Sequence, residues 1–218
     1  MISEEHKKHL RDELAGKLPN LVRLIVFTQE YECPYCAETR ELIEELASLS
    51  DKIGVEVYDF VADADKARAF GIDKVPAVAI VGEKDFGVRF YGLPYGYEFG
   101  TLVEGIIAVS RGRSDISESV RERLKGVVTP VHIQVFVTLT CPYCPSVASL
   151  AYKFAVESDF VRADVVDVGE FPHIGHKYAV MGVPKTVIND KVEFIGAVSE
   201  EIFLEHILLA ARRPEHVP

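Results

Sequence analysis

The spacing of hydrophobic and polar positions changes period several times along the chain, and the changes come twice in the same order. Over 3–18 apolar side chains recur at Leu10, Leu14 and Leu18, the spacing of one helix face. Residues 21–28 (LVRLIVFT) are a nearly continuous run of branched apolar residues, which predicts a buried strand. Leu42, Ile43, Leu46 and Leu49 mark one face of a helix over 34–49, GVEVYDF at 54–60 alternates as a strand, and 63–70 is a short Ala-rich helix. Residues 77–82 and 86–91 predict a hairpin around Glu83-Lys84-Asp85, and Phe99, Leu102, Val103, Ile106 and Ile107 stripe a helix over 97–110. The remainder retraces this path: helix 116–125, strand 131–138, helix 142–156, strand 163–168, helix 171–180, hairpin 185–195, helix 199–211. Ser110-Arg111-Gly112-Arg113-Ser114 is short and polar, the expected linker between units at 1–112 and 113–218. A βαβ opening, an antiparallel hairpin and a closing helix predict an α/β fold, each unit a small mixed sheet flanked by helices.

Residue identities repeat with the pattern. Cys33-Pro34-Tyr35-Cys36 recurs as Cys141-Pro142-Tyr143-Cys144, an offset of 141 − 33 = 108. The same offset carries Val75-Pro76 onto Val183-Pro184 and Asp59 onto Asp167. Three coincidences at one offset indicate an internal duplication.

Composition narrows the function. A formal net charge of -10 argues against a general nucleic-acid binder, which needs clustered Lys and Arg. No window is apolar enough to span a bilayer, and the start of the chain, Met1 to Lys8, is charged rather than leader-like, so a cytoplasmic location is expected. There is no Trp, and Met, Asn and Gln are each nearly absent, which leans toward a thermophilic source. Intracellular disulfides are usually catalytic, hyperthermophiles being the exception.

The tetrapeptide supplies chemistry. Thiol–disulfide exchange needs an attacking thiolate and a second thiol near enough to resolve the mixed disulfide. At a helix start, free N–H groups stabilise the first sulfur as S⁻, and the second lies within the first turn. Cys33 and Cys141 are therefore the expected attacking thiols, Cys36 and Cys144 the resolving ones. A Cys-x-x-Cys after an apolar strand and before a helix is the pattern of thioredoxin-like redox sites.

The Cys-Pro-Tyr-Cys motif resembles that of glutaredoxins. The tandem arrangement with both motifs intact resembles the protein disulfide oxidoreductases of archaea and thermophilic bacteria, over essentially the whole chain. That resemblance implies two thioredoxin-like units that form, reduce or isomerise protein disulfides. It implies electron supply from a thioredoxin-reductase-like flavoprotein, and no bound cofactor beyond the redox disulfides. It further implies that Val75-Pro76 and Val183-Pro184 are cis and face the disulfides. Substrate would then contact Val75, Pro76, Val183 and Pro184, with Pro34, Tyr35, Pro142 and Tyr143 alongside. A free Val backbone there could pair with an extended peptide. The stretches after Pro76 and Pro184 lack the paired glycines and acid with which glutaredoxins hold glutathione.

Two Cys-x-x-Cys pairs could together bind zinc, although each recurs within a complete copy of the same unit. A permanent disulfide between residues three apart closes too small a loop to stabilise much. His173-Ile174-Gly175-His176 has metal-like spacing but reads as an ordinary surface helix, and Glu41–Glu45 as a solvated face. Asp59 and Asp167 are either strand-end residues or proton acceptors for the resolving thiols. Glu30, Glu32, Glu38, Arg40 and Glu41 surround the first pair, whereas 133–152 contains no charged residue. This predicts a lower thiolate pKa at Cys141 and protein substrates at its site. Pro145, following Cys144, is expected to bend the helix start.

Overall fold

A computed structural model describes residues 2–212; Met1 and the last six residues of the expected second unit, 213–218, lie outside it. The first half contains α1 (Glu4–Lys17), β1 (Val22–Thr28), α2 (Cys36–Ala47), β2 (Ile53–Asp59), α3 (Ala64–Phe70), β3 (Ala77–Val81), β4 (Asp85–Tyr91) and α4 (Glu98–Arg111). The second contains α5 (Glu118–Leu124), β5 (Val131–Val137), α6 (Cys144–Glu157), β6 (Val161–Asp167), α7 (Pro172–Lys177), β7 (Lys185–Ile188), β8 (Val192–Ile195) and α8 (Glu200–Ala211). Serines open three helices in the expected way: the Ser3, Ser117 and Ser199 hydroxyls accept from the amides of His6, Val120 and Ile202.

Each half builds a mixed sheet, with a parallel β1–β2 or β5–β6 pair and an antiparallel hairpin on the other side of its first strand. The two sheets are then joined. Strand β4 pairs in parallel with β6, Val88 opposite Ala163 through Tyr91 opposite Val166, to give one eight-stranded sheet in the order β2-β1-β3-β4-β6-β5-β7-β8. Val22, Leu24 and Val26 of β1 face the larger core, under α1, α2, α4, α5, α6 and α8, while Ile25 and Phe27 face the smaller one, under α3 and α7. Alternation on a strand buried on both faces explains its continuous apolar run.

The segment read as a linker is packed. Helix α4 runs through Arg111, and Gly112 caps it in the left-handed conformation (φ 62°), where a glycine avoids the Cβ penalty. The Ser110 hydroxyl is buried and donates to Asn20 O, and the Ser114 amide donates to Glu157 Oε1. A polar composition at this point reflects capping rather than freedom of movement.

At the seam between the halves, buried charge sits beside the apolar pairs of the β4–β6 ladder. Asp164 on β6 accepts from Arg162 Nε at 2.8 Å and from His132 Nε2 at 2.7 Å. Arg162 also reaches Gly71 O and the Tyr91 hydroxyl in the first half. Arg89 on β4 is buried and pairs with Asp85 while donating to Phe70 O. Burial pushes the Asp164 carboxyl up, and the hydrogen bond from His132 and the Arg162 guanidinium pull it down; the net direction is down.

Candidate redox sites

Strands β1, β2, β4, β5 and β6 all point the same way, as their parallel pairings and the two antiparallel steps through β3 require. The loops after β1 and β5 carry the cysteine motifs, so both lie at one end of the sheet. Strands β1 and β5 are four places apart in the order, which at a strand spacing of ~4.8 Å separates the sites by roughly 19 Å. No single metal ion can bridge the two pairs at that distance, which removes the four-cysteine zinc reading. Among the described residues no cluster of His, Cys, Asp and Glu is placed to hold a metal ion. His173 and His176 are exposed on α7.

Cys33–Cys36 and Cys141–Cys144 are disulfides, each with its Cα atoms 5.5 Å apart. The helices begin on the second cysteine, so Cys33 and Cys141 occupy the turn just before them. Cys33 is half-buried and Cys36 buried; in the other pair Cys141 is 8% exposed and Cys144 not at all. The Gln29 amide donates to Cys36 Sγ at 3.3 Å. Pro34, Tyr35, Pro142 and Tyr143 are all exposed. Pro145 does not bend its helix. It lies in the first turn of α6, where a missing N–H has no intrahelical partner, and the helix continues to Glu157.

Val75-Pro76 and Val183-Pro184 are both cis. Strand pairing starts one residue past each proline, at Ala77 and Lys185, so the two valines stand ahead of the ladder. Val183 O lies 3.8 Å from Cys141 Sγ, which sets this segment against the second disulfide.

The charged residues near the two pairs come from different parts of the chain. The first pair lies in a cleft lined by Glu30, Arg40, Glu41, Glu44 and Asp59. The second has no charged neighbour in sequence, yet the fold brings it carboxylates from elsewhere. Helix α4 runs beside α6 in parallel and in step: the Tyr97 amide donates to Leu139 O at their starts, Gly105 abuts the Tyr152 ring midway, and Ser114 meets Glu157 at their ends. Glu98, first residue of α4, and Cys144, first residue of α6, therefore lie at the same end of this helix pair. Glu98 has no exposed surface, and neither of its oxygens has a hydrogen-bond partner. Burial raises its pKa to about 7; the Thr101 hydroxyl opposes this without reaching hydrogen-bond geometry, and the Asp167 carboxylate adds to it.

Asp59 and Asp167, equivalent by repeat, have different fates. Asp59 is half-exposed and accepts from the Val61 and Ala62 amides, a satisfied turn residue. Asp167 is buried, accepts from the Gly169 amide, and is raised by that burial. Glu170 accepts from Leu93 N at 2.7 Å and is raised to about 7, by burial first, then by Asp167 and Glu38, against the Leu93 bond. Neither Glu98 nor Glu170 stood out beforehand. A Glu in the first turn of a helix ordinarily complements the helix dipole, and no residue type at the matching position (His206) marks Glu98 through the repeat.

The Thioredoxin domain family matches residues 131–209. The crystal structure of a protein disulfide oxidoreductase from Aeropyrum pernix K1 is similar over 96% of this chain and 93% of that one, with 34% identity and a TM-score of 0.90. The NTD_N/C domain of alkylhydroperoxide reductase AhpF from Enterococcus faecalis matches over 95% of this chain and 100% of that one, at 25% identity and a TM-score of 0.88. An NADH dehydrogenase of Bacillus subtilis is 30% identical over 167 residues, 77% of this chain. The chain spans about 30% of the length of the curated relatives it matches.

Proposed function

The chain belongs to the protein disulfide oxidoreductases, and from that premise we propose that Cys33 and Cys141 attack protein disulfides while Cys36 and Cys144 resolve the mixed disulfides. Its two Cys-x-x-Cys pairs sit in tandem thioredoxin-like units, which we divide at Gly112. The observation that carries the role assignment is the exposure gradient repeated in both pairs: in each, the first cysteine is more exposed than the second. A substrate sulfur therefore meets the first cysteine before the second. Val75 and Val183, ahead of their ladders, offer free backbone for an extended peptide, and Pro34, Tyr35, Pro76, Pro142, Tyr143 and Pro184 complete the contact surface.

At the second site Glu98 is the proton acceptor for Cys144. A buried acid with a pKa near neutrality can take a thiol proton when the resolving sulfur attacks and return it when the pair is reduced. Asp59 at the first site is half-exposed and held by two backbone amides, so it lacks the enclosed setting of Glu98. Tyr143 and Met181, 69% and 92% exposed, flank the second pair with apolar surface that suits unfolded protein. We assign protein substrates to this pair and an auxiliary or relay role to the first. Electrons come from a thioredoxin-reductase-like flavoprotein in the cytoplasm. The names of longer relatives, an NADH dehydrogenase and an alkyl hydroperoxide reductase subunit, support a reductive supply. No helix among the described residues is long and apolar enough to cross a membrane.

Replacing the resolving cysteines tests the roles. Cys36→Ser and Cys144→Ser should each accumulate a mixed disulfide with a protein substrate, seen as a dithiothreitol-sensitive adduct whose mapped bond involves Cys33 or Cys141. An adduct mapped to Cys36 in Cys33→Ser, at equal yield, would reverse the assignment.

A further inference from the structure

Of the nine tyrosines in the chain, five are exposed: Tyr31, Tyr35, Tyr95, Tyr97 and Tyr143. All five stand on the loops after β1, β4 and β5, which leave the sheet at the end that carries both cysteine pairs. An exposed tyrosine offers an apolar ring and a hydroxyl at low conformational cost, which suits contact with other polypeptides. In the strand order β3, β4 and β6 separate β1 from β5, so the loops after β4 and β6 fall between the two redox sites. Those loops line a cleft of about 290 Å³. Tyr35 of the first motif lines it together with Thr138 and Leu139, which directly precede the second. Leu93 adds apolar surface, and Asp167 and Glu170 add carboxylates. The Leu93 amide donates to Glu170 Oε1 at 2.7 Å and so ties the two loops together.

We propose that one extended segment of a protein substrate lies across both redox sites, through the cleft between Tyr35 and Leu139, and that segments with basic residues between their cysteines are preferred. The proposal rests on Cys33 and Cys141 being the attacking thiols. Their separation of roughly 19 Å matches about six residues of extended chain at ~3.3 Å each. Val75 enters β3 next to β1, and Val183 lies against the second disulfide, so backbone partners for such a segment stand at both sites. The charge on this face sets the preference. Asp167 and Glu170 line the middle of the path, Glu30 and Glu41 line the cleft at the first pair, and the Arg40 guanidinium there is paired with Glu44.

On a segment with two disulfides so spaced, each attacking thiolate forms a mixed disulfide and releases one substrate thiolate. Each resolving sulfur then attacks its own partner, closes the Cys33–Cys36 or Cys141–Cys144 bond and releases the second substrate thiolate. Each pair thereby passes two electrons to one substrate disulfide, and the released thiolates take up the protons of the resolving thiols and of solvent. The first link makes the second attack intramolecular. A tether that matches the span raises the effective concentration of the second disulfide to the order of millimolar, and one too short to span brings it to zero.

The test uses the full chain with Cys36→Ser and Cys144→Ser, reduced beforehand, so that Cys33 and Cys141 are its only thiols. Peptides carry their cysteines as 2-pyridyl disulfides. Attack by either thiolate breaks the peptide–pyridyl bond, forms a protein–peptide disulfide and releases pyridine-2-thione, whose absorbance times each link. A peptide with cysteines about six residues apart and Lys between them should link twice to one chain, leaving no pyridyl group in the intact mass. One with cysteines roughly two residues apart should keep its second pyridyl group, because it cannot span the sites. The second link should form about tenfold faster with Lys than with Glu at the intervening positions. Glu170→Gln and Asp167→Asn keep acceptors for the Leu93 and Gly169 amides, and together they should narrow that difference. Single links alone at the longer spacing, or equal rates for the Lys and Glu peptides, would overturn the proposal, and a preference untouched by the two amide substitutions would overturn the path through the cleft. Peptides with one cysteine keep the two readings apart. If Cys33 or Cys141 fails to link to them, the attacking role itself falls; if both link and no bridge forms, only the spanning segment falls.

Discussion

Replacing Glu98 by Gln should change stability in a way that depends on pH. Folding moves this carboxyl from its ordinary value of 4.5 to about 7, a rise of 7 − 4.5 = 2.5. At about 1.4 kcal/mol per unit, the ionised side chain costs the folded state roughly 3 kcal/mol. The folded pKa is raised, so the associated stability is fully present below 4.5 and is lost as pH rises toward about 7. Gln removes the titration and keeps the shape. Its amide is still buried without a partner, at a cost on the order of 1–3 kcal/mol that does not vary with pH. The informative quantity is therefore the difference between conditions. Between pH 5 and pH 8 the stability of Glu98→Gln relative to wild type should improve by about 2.5 kcal/mol. Guanidinium unfolding of the oxidised protein at both pH values measures it. A relative stability that is constant across the interval would refute a buried, high-pKa Glu98.

Other outcomes follow from named contacts. Gly96 has φ 60°, and a Cβ there would lie 2.5 Å from Leu139 O, so Gly96→Ala should push the α4 start away from the loop before Cys141 and cost about 2 kcal/mol in denaturant. In the same variant the second pair should slow while the first pair's rate holds, as assayed with single-pair proteins. Asp164→Asn leaves Arg162 and His132 facing a neutral partner at the seam and should destabilise by roughly 3 kcal/mol at pH 7 in urea unfolding. Because the Asp164 pKa is lowered on folding, its contribution is present above the unfolded carboxylate value and fades as pH falls through the folded one, so the deficit of Asp164→Asn should shrink in acid.

What could be read from the chain beforehand was whatever depends on short-range pattern. The apolar run in β1, the stripe on α4 and the identical tetrapeptides specify strands, helices and a duplicated redox unit from a few neighbouring residues each. What escaped depends on contacts between the halves. Strand β4 (DFGVRFY) and strand β6 (VRADVVD) each carry charges that suit an exposed edge; in the fold those charges, Arg89 and Asp164, are buried and paired where the two sheets meet. Residues 110–114 read as a linker because a helix cap and a linker use the same residues. The second site looked uncharged because its acids, Glu98 above all, come from a helix of the other half.

The central claim is that the two cysteine pairs carry dithiol–disulfide exchange on proteins. Insulin reduction by dithiothreitol, followed by turbidity with wild type, Cys33→Ser, Cys141→Ser and the double variant, tests it most directly. Partial activity in each single variant, lower in Cys141→Ser, and none above background in the double variant is the predicted result. Wild-type activity in the double variant would contradict it.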